Sequence, residues 1–314
     1  MEIIKKVLVT GGAGFLGTHL CKKLLNKNYK VICVDNYFSS ASNNISQFKS
    51  NKNFTFIKQD VCDLNITEKI DFIYNLACPA SPLHYQLDPV KTVKTNILGA
   101  LNVLELAKKN NATIFQASTS EVYGDPKISP QNEDYWGNVN PIGVRSCYDE
   151  GKRVVETLFF DYHRQYNLNI KVCRIFNTYG PFMAKDDGRV VSNFIIQALK
   201  NKNLSIYGLG NQTRSFCFVD DLIDGIIRFM ENTKSFTGPL NLGNNYEMSI
   251  KDIAQKIIIL SNSKSSISYT EALSDDPMQR KPDLTQAKKV INWNPQTSID
   301  EGLLSTIKYF KNII

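Results

Sequence analysis

Short β-branched segments alternate with longer amphipathic segments through the first half of the 314-residue chain. Apolar residues recur at every second position in a half-buried strand and about every 3.6 residues on a helix, so the two kinds of segment predict strands and helices. The predicted strands are Val7–Thr10, Val31–Val34, Phe54–Ile57, Phe72–Leu76, Thr113–Ala117 and Lys171–Phe176, and the predicted helices are Phe15–Asn26, Val90–Asn110 and Tyr148–Tyr166. This alternation is typical of β-α-β units and predicts an α/β fold of the Rossmann type, a doubly wound parallel sheet with helices on both faces.

The loops and the predicted elements change in length and composition after residue 178. Loops there are longer and richer in Gly, Asn and Asp, and the predicted strands and helices are shorter. We therefore expect a Rossmann domain over residues 1–178, to which some later segments return, and a smaller mixed α/β lobe over residues 179–314. Because no low-complexity linker separates the two parts, they are expected to pack closely together.

The composition narrows the class of protein. A content of 42% hydrophobic and 21% charged residues is ordinary for a globular chain, and a net charge of +7 suits anionic ligands such as nucleotides. Nucleic acid is not expected as a partner, because the lysines and arginines are scattered and no basic arm, zinc-finger spacing or RNA-binding motif occurs.

Cysteines, histidines and apolar stretches indicate the compartment. The seven cysteines are irregularly spaced without a CxxC pair, which favours a reducing environment, and the three histidines lie too far apart to predict a metal site. No apolar stretch approaches the ~20 residues of a membrane span. Residues 1–6 run straight into the first predicted strand, so we expect no signal peptide. We expect a cytoplasmic protein that does not contact a membrane.

A glycine-rich turn joins the first predicted strand to the first predicted helix. The segment V-L-V-T-G-G-A-G-F-L-G places Gly11, Gly14 and Gly17 there, where glycine permits a tight turn and a close approach of the backbone to a pyrophosphate. The N–H groups at the start of the helix favour the same phosphates. The second strand ends about 20 residues later at Asp35, a carboxylate suited to the ribose hydroxyls. These features predict a dinucleotide site.

NAD is the cofactor expected in this site. Asp35 would repel the 2′-phosphate of NADP, and the following Asn36-Tyr37-Phe38-Ser39 contains no Arg or Lys to reverse that preference. Asp60 and Val61 follow the third strand and are placed to meet the adenine. The other expected cofactor contacts are Phe15, Leu16, Asn36, Leu76, Ala77, Thr95, Tyr148 and Lys152.

Two Tyr-x-x-x-Lys pairs occur, and the second is the candidate for chemistry. Tyr123 and Lys127 span Gly-Asp-Pro, which breaks a helix. Tyr148 and Lys152 begin a long helical segment, so the spacing of four puts both on one face. An ammonium beside a phenol favours the phenolate, and we therefore expect Lys152 to lower the pKa of Tyr148 and make it a base.

A polar segment, Ser118-Thr119-Ser120-Glu121, follows the predicted strand Thr113–Ala117. Ligands of doubly wound sheets bind outside the carboxyl ends of the strands. The hydroxyls and the carboxylate of this segment are therefore expected to meet a sugar.

With these motifs the chain resembles the extended short-chain dehydrogenase/reductase superfamily and, within it, the UDP-glucuronate decarboxylases. The resemblance runs from the glycine-rich turn to Trp293, and its most specific stretches are L-A-C-P-A-S-P, S-T-S-E-V-Y-G-D-P, Y-W-G-N-V-N-P-I-G-V-R-S-C-Y-D-E-G-K-R, R-I-F-N-T-Y-G-P, D-D-G-R-V-V-S-N-F and R-K-P-D. Sugar dehydratases of similar build carry Asp-Glu where this chain has Ser120-Glu121.

The resemblance implies an activity and a role for each site residue. The reaction would be NAD-dependent decarboxylation of UDP-glucuronate to UDP-xylose through a C4-keto intermediate, with the hydride returned to C4. Thr119, Tyr148 and Lys152 would serve hydride transfer, while Glu121 and Arg280 would act around the uronate carboxylate and in proton transfer. The implied substrate contacts are Ser120, Asn177, Arg189, Tyr207, Arg214 and Arg280, with Tyr207 stacking on uracil and the second lobe binding most of the nucleotide sugar.

The resemblance also implies a homodimer joined by the helices near Val90–Asn110 and Tyr148–Tyr166. The second of these helices carries the apolar residues Val154, Val155, Leu158 and Phe159, which could instead face the sheet. The pattern alone does not decide between these two positions.

Several alternatives stay open. A 4-epimerase or a 4,6-dehydratase would use the same C4 oxidation, although Ser120 and the R-K-P-D segment argue against both. Another decarboxylase would release a 4-keto pentose and NADH. A non-catalytic NAD sensor could keep the fold, but the chain retains Thr119, Tyr148 and Lys152. Relatives often place Gly and Lys where this chain reads Phe38-Ser39-Ser40-Ala41, a loop expected to touch the adenosine end.

Overall fold

The computed structural model describes residues 4–232, 235–271 and 279–314, so the first three residues of the N-terminal segment discussed above lie outside it. Its strands are β1 (Lys6–Thr10), β2 (Lys30–Asp35), β3 (Phe54–Lys58), β4 (Phe72–Asn75), β5 (Thr113–Thr119), β6 (Ile170–Ile175), β7 (Thr178–Tyr179), β8 (Leu204–Tyr207), β9 (Thr213–Ser215), β10 (Cys217–Phe218), β11 (Leu240–Leu242), β12 (Glu247–Ser249), β13 (Ile267–Thr270) and β14 (Gln279–Arg280). Its helices are α1 (Phe15–Asn26), α2 (Pro82–Leu87), α3 (Pro89–Asn110), α4 (Ser146–Tyr166), α5 (Val190–Leu199), α6 (Val219–Asn232), α7 (Ile250–Ser261), α8 (Thr285–Ile291) and α9 (Ile299–Lys311).

A seven-stranded parallel sheet forms the centre of the fold, in the order β3-β2-β1-β4-β5-β6-β11. The order reverses at β1, as in a doubly wound sheet, and β11 is a segment from the second half that joins the edge. The predicted Rossmann-type α/β fold is confirmed. Each of the six predicted strands and three predicted helices is present with its bounds shifted by no more than two residues.

Alternate residues of each strand face two different helical layers. Leu8 points toward α3 and α4, whereas its neighbours Val7 and Val9 point toward α1 and the later helices. This alternation follows from the two-residue period of a strand. Both faces are covered, which explains why the central strands read as nearly continuous apolar runs.

The second half of the chain forms smaller sheets around the same core. β8 pairs with β13, β7 pairs with β10, and β9 lies between β12 and β14. One apolar cluster runs from Leu24 of α1 through Ile226 of α6 to Ile253 of α7 and Phe310 of α9, so the two halves share a continuous core. The boundary near residue 178 stays a prediction.

The carboxyl ends of five neighbouring strands meet at one edge of the central sheet. Gly11 follows β1, Asp35 ends β2, Leu76 follows β4, Thr119 ends β5 and Phe176 follows β6. This edge is where a doubly wound sheet binds its ligand. No helix within the part of the chain that the structure describes is long and apolar enough to cross a membrane.

Candidate active site

A cavity of about 360 Å³ lies along this edge of the sheet. It brings together residues that are far apart in sequence and that the sequence had singled out. Of the predicted site residues, those that line it are Gly11, Gly14, Phe15, Leu16, Gly17, Asp35, Asn36, Asp60, Val61, Leu76, Ala77, Thr95, Thr119, Ser120, Glu121, Tyr148, Lys152, Asn177, Arg189, Arg214 and Arg280.

Tyr207 is the exception among the predicted residues. It ends β8, a strand that pairs with β13 at the outside of the second half, and its side chain is 47% exposed. Its strand position turns the ring to the surface, so it is not among the residues that line the cavity. The predicted stacking of Tyr207 on uracil has no support in the structure.

The glycine-rich turn has the shape that a pyrophosphate requires. Gly11 has a φ of +68°, and a Cβ there would lie 2.8 Å from the Leu76 carbonyl. A Cβ on Gly17 would lie 2.2 Å from the Gly11 carbonyl oxygen, so the helix approaches the turn as closely as backbone allows. No side chain of the described residues caps the N-terminus of α1, which leaves its first N–H groups for a ligand. The turn therefore fits the dinucleotide predicted from its sequence.

Asp35 is held by the loop that surrounds it. Its carboxylate accepts hydrogen bonds from the Ala13 N–H at 3.0 Å, the Tyr37 N–H at 2.8 Å and the Ser40 hydroxyl at 2.8 Å. A carboxylate has about four acceptor positions, so one stays for a ribose hydroxyl. The loop of residues 38–41 also lines the cavity, and its Ser40 contacts Asp35, while its contact with adenosine stays a prediction.

Asp60 is fixed as an anion at the neighbouring strand end. It accepts hydrogen bonds from Lys91 at 2.7 Å and from the Asn36 amide at 2.9 Å. Burial alone would raise the pKa of Asp60, but the hydrogen bonds from Lys91, the Cys62 N–H and Asn36 lower it to about 2. The sequence had not indicated Lys91, because its partner lies 31 residues earlier.

Tyr148 and Lys152 lie side by side in the first turns of α4, both buried. The Lys152 ammonium is 5.8 Å from the centre of the Tyr148 ring and donates to the Ala117 carbonyl oxygen at 2.9 Å. Thr119, at the end of β5, is within hydrogen-bond reach of the Tyr148 hydroxyl. The three residues of the predicted triad are therefore brought together.

The prediction that the pKa of Tyr148 is lowered is wrong. Burial, and after it the neighbouring Cys78, raise the pKa of Tyr148 well above its ordinary value, and the hydrogen bond with Thr119 does not reverse the shift. Lys152 is itself buried, which lowers its own pKa. Removal from water disfavours the charged form of both groups.

The other Tyr-x-x-x-Lys pair is structural, as the intervening Gly-Asp-Pro predicted. Tyr123 is fully buried, donates to the Asn241 side chain at 2.8 Å and accepts from Arg174 at 3.0 Å. Its partner Lys127 takes no part in this network. Tyr123 helps to fix the loop that follows β5.

Glu121 lies between two arginines at the wall of the cavity. Its Oε2 accepts from Arg145 at 2.5 Å and from Arg280 at 3.2 Å. Arg280 is 2% exposed and also donates to the Ser120 carbonyl oxygen at 2.8 Å. Burial opposes ionisation of Glu121, but Arg280, Arg145 and Arg214 together hold its pKa below the ordinary value. Glu121 is therefore a carboxylate in a positively charged setting.

Arg145 and Tyr85 are site residues that sequence reasoning missed. Tyr85 of α2 stacks on Tyr148 with ring centres 5.1 Å apart and ring planes 8° apart, and it lines the cavity. Arg145 precedes Tyr148 by three residues, about one helical turn, and this spacing was the available signal. Tyr85 had no such signal, because its place depends on the packing of α2 against α4.

Asn177, Arg189 and Arg214 line the cavity from the second half of the chain. Arg189 immediately precedes α5, pairs with Asp187 and lies 5.6 Å over the Phe15 ring. Arg214 of β9 donates to its neighbour's carbonyl oxygen at 2.9 Å and pairs in register with Arg280 of β14. Two arginines at one cavity suit a diphosphate, whose oxygens accept paired hydrogen bonds.

Comparisons with known proteins place the chain in a family. Residues 8–306 match the family model described as GDP-mannose 4,6 dehydratase. The chain is 54% identical over 299 residues to UDP-glucuronic acid decarboxylase 5 of Arabidopsis thaliana, covering 95% of this chain and 87% of the relative. It is 49% identical to UDP-glucuronic acid decarboxylase 1 of Danio rerio, covering 98% and 72%.

A solved structure extends the comparison to bound ligands. The UDP-glucuronic acid 4-epimerase of Bacillus cereus, in complex with UDP-glucuronic acid and NAD, superposes with a TM-score of 0.89 at 30% identity. The match covers 98% of this chain and all of that one. The same fold thus holds this cofactor and a uronic acid nucleotide in a related enzyme.

Proposed function

The chain belongs to the GDP-mannose 4,6-dehydratase family and, within it, to the UDP-glucuronic acid decarboxylases, and we propose that it converts UDP-glucuronate to UDP-xylose and CO2 with NAD as cofactor. The observation that carries this proposal is the meeting of two sets of residues in one cavity. Thr119, Tyr148 and Lys152 lie beside the buried Arg280, which pairs with Glu121.

NAD fits the residues at the first strand ends. The glycine turn and the uncapped start of α1 would hold its pyrophosphate, and Asp35 its adenosine ribose. Bound there, NAD would supply the chemistry of reversible hydride transfer at C4 of the sugar, with no net oxidation. Asp35 also favours NAD over NADP, because a carboxylate repels the 2′-phosphate.

Tyr148 takes the proton of the C4 hydroxyl, and Thr119 shares its hydrogen bond. Burial raises the pKa of Tyr148, so the phenolate is a minor form whose share grows with pH. Lys152 adds positive charge beside it. Once C4 is a ketone, the substrate is a β-keto acid, and the electrons left by CO2 move onto the C4 oxygen. The protonated Tyr148 and Lys152 stabilise that oxygen.

Arg280 and Glu121 act at the other side of the sugar. A buried arginine held by one carboxylate and one carbonyl oxygen can meet the uronate carboxylate before CO2 leaves. The proton that C5 then receives reaches it through Glu121 or through water that Glu121 and Arg280 position. Ser120 contributes its backbone to this wall of the cavity.

The return of the hydride to C4 is the finer part of the proposal. Release of a 4-keto pentose with the reduced cofactor is the alternative outcome of the same chemistry. Asn177, Arg189 and Arg214 are proposed to hold the UDP group, supported by their common position at the cavity.

We extend the proposal to a homodimer formed through α3 and α4. Val155 and Phe159 of α4 are buried and face the sheet, whereas Val154 is 40% exposed. Leu98 and Val90 of α3 are exposed by 44% and 64%. An exposed apolar set on two adjacent helices suits a helix-bundle interface. A cytoplasmic location stays a prediction from the cysteine pattern.

Product analysis tests the function. The purified protein with NAD is incubated separately with UDP-glucuronate, UDP-glucose and UDP-galacturonate, and products are identified by mass spectrometry against UDP-xylose. We expect UDP-xylose and CO2 from UDP-glucuronate alone. Formation of UDP-galacturonate from UDP-glucuronate without loss of mass would make the protein a 4-epimerase and overturn the proposal.

A further inference from the structure

Asp149 follows the proposed base Tyr148 directly and faces the interior. Its side chain is buried, and its Oδ1 has no hydrogen-bond partner among the described residues. Its Oδ2 lies 3.8 Å from Arg145 Nε, beyond hydrogen-bond distance. Burying a carboxylate with one oxygen unpaired and the other in a long ion pair is costly, which favours the neutral carboxylic acid.

Several charged or titratable groups surround Asp149. Arg145, Cys147 and Glu150 lie on the same helix or at its start, while Glu121, Arg280 and Tyr85 face it from other elements. Burial, and after it the negative charge of Glu121, raise the pKa of Asp149 to about 7, against the opposing effect of Arg145 and Arg280. The pKa of Glu121 is held low by the same arginines. Of the two carboxyl groups, Asp149 therefore holds the proton.

Decarboxylation of a uronate consumes one proton. The C5–carboxylate bond breaks, CO2 leaves without the bonding electron pair, and a C–H bond forms at C5. The proton taken from the C4 hydroxyl by Tyr148 is required again at the C4 oxygen when the alcohol is restored. A separate group must therefore supply the proton to C5 in each cycle.

We propose that Asp149 stores the proton delivered to C5 and passes it through Glu121, an inference that rests on the proposed decarboxylase function. Arg145 links the two carboxyl groups, with its Nε 3.8 Å from Asp149 and its terminal nitrogen 2.5 Å from Glu121. Arginine keeps its own protons, so it positions the pair and the proton crosses through water. Asp149 then regains a proton from solvent. It acts through Glu121 and does not touch the substrate.

The variant Asp149→Asn tests whether Asp149 holds this proton, because asparagine lacks the acidic proton but keeps the shape of the side chain. In single-turnover absorbance measurements on the enzyme with NAD and UDP-glucuronate, oxidation at C4 should produce the reduced cofactor normally. The decay of the reduced cofactor should slow by about 10²-fold, because the hydride can return only after C5 has been protonated. In the wild type the decay rate should fall as pH rises above about 7, since Asp149 loses its proton there. The variant should lack this dependence.

The matched control is Asp161→Asn, which makes the same change at another aspartate of the same helix. Asp161 pairs with Arg164 at the surface, is not among the groups around Asp149, and should leave the decay unchanged when substituted. If Asp149→Asn keeps both the wild-type decay rate and its pH dependence, a group other than Asp149 holds the proton for C5. Failure of the wild type to form UDP-xylose would instead overturn the proposed function, so the two failures are distinguishable.

Binding calorimetry gives a second test that needs no turnover. With Tyr148→Phe, UDP-glucuronate is titrated in two buffers of different ionisation enthalpy near pH 7. The uronate charge should raise the pKa of Asp149 further, so binding should take up protons, and UDP alone should take up fewer. Absence of proton uptake with UDP-glucuronate would overturn the proposal even if Asp149→Asn does not fold.

Discussion

Glu121 and Tyr148 show how burial and charge assign different work to residues in one cavity. Glu121 stays ionised because arginines hold its pKa low, whereas Tyr148 stays protonated because burial raises its pKa. A group that is mostly protonated can stabilise a developing oxyanion and acts as a base through its minor form. The two steps of the proposed reaction therefore draw on two protonation states of the same tyrosine.

Tyr148→Phe tests the assigned base. The substitution removes the hydroxyl and keeps the ring that stacks on Tyr85, so NAD binding and the melting temperature should stay close to wild type. UDP-xylose formation should fall by about 10³-fold, within the range that a positioned acid or base contributes. Turnover close to wild type would show that another group takes the C4 proton.

Arg280→Ala separates a role at the uronate from a structural role. Loss of the guanidinium leaves the Ser120 carbonyl oxygen without this donor and Glu121 with one arginine fewer. The free energy of unfolding should therefore fall by about 1–3 kcal/mol. NAD binding should persist, while UDP-xylose formation falls by about 10²-fold. If the melting temperature falls but the rate at low temperature does not, Arg280 is structural.

At the scale of elements, the β1–α1 turn depends on two glycines in different ways. A Cβ on Gly17 would collide with the Gly11 carbonyl oxygen at 2.2 Å and the Gly12 Cα at 2.6 Å, both backbone atoms. A Cβ on Gly14 would meet one atom, the Gly11 carbonyl oxygen, at 3.2 Å. Gly17 is therefore required by the packing of the helix on the strand, and Gly14 chiefly by the close approach of a ligand.

Gly17→Ala and Gly14→Ala are a matched pair for this turn. Gly17→Ala should lower stability by about 1–3 kcal/mol, since backbone must move, and should weaken NAD binding as a consequence. Gly14→Ala should cost less stability than Gly17→Ala while still weakening NAD binding. Thermal melts and NAD titrations would check both, and a smaller loss of stability in Gly17→Ala than in Gly14→Ala would contradict this account.

The sequence predicted elements with a strong period better than elements without one. β1–β6 and α1, α3 and α4 carry clear apolar repeats, and all were predicted within two residues. β7, β10 and β14 have two residues each, too few for any period, so their pairings were not predictable. Arg280 reaches Ser120 across 160 residues through β14, and a family resemblance rather than a pattern indicated it.

At the scale of the whole molecule, the cavity combines residues from both halves of the chain. Gly11, Asp35 and Tyr148 come from the parallel sheet and its helices, and Arg189, Arg214 and Arg280 come from the segments that follow. The sequence anticipated most of this set, because the residues sit at strand ends or in specific motifs. Tyr207 is not among the lining residues, because the direction of a side chain at the end of a short strand depends on tertiary packing, and its stacking on uracil stays a prediction.

The proposed homodimer makes a prediction about mass. Light scattering should give twice the 35.5 kDa of one chain, and Val154→Glu should shift the protein toward a single chain by placing a charge at the α4 surface. Leu209→Glu is the control, because Leu209 is 76% exposed in a loop outside α3 and α4. A single-chain mass for the wild type would contradict the dimer.

Proton NMR of the wild-type protein with NAD and UDP-glucuronate in heavy water tests the central claim most directly. We predict that the anomeric signal of UDP-xylose replaces that of the substrate, that one deuterium enters C5, and that no reduced cofactor accumulates. Those signals would establish oxidation, loss of CO2, protonation at C5 and return of the hydride in one experiment. A 4-keto pentose that appears together with an equal amount of reduced cofactor would contradict the claim that the hydride returns to C4.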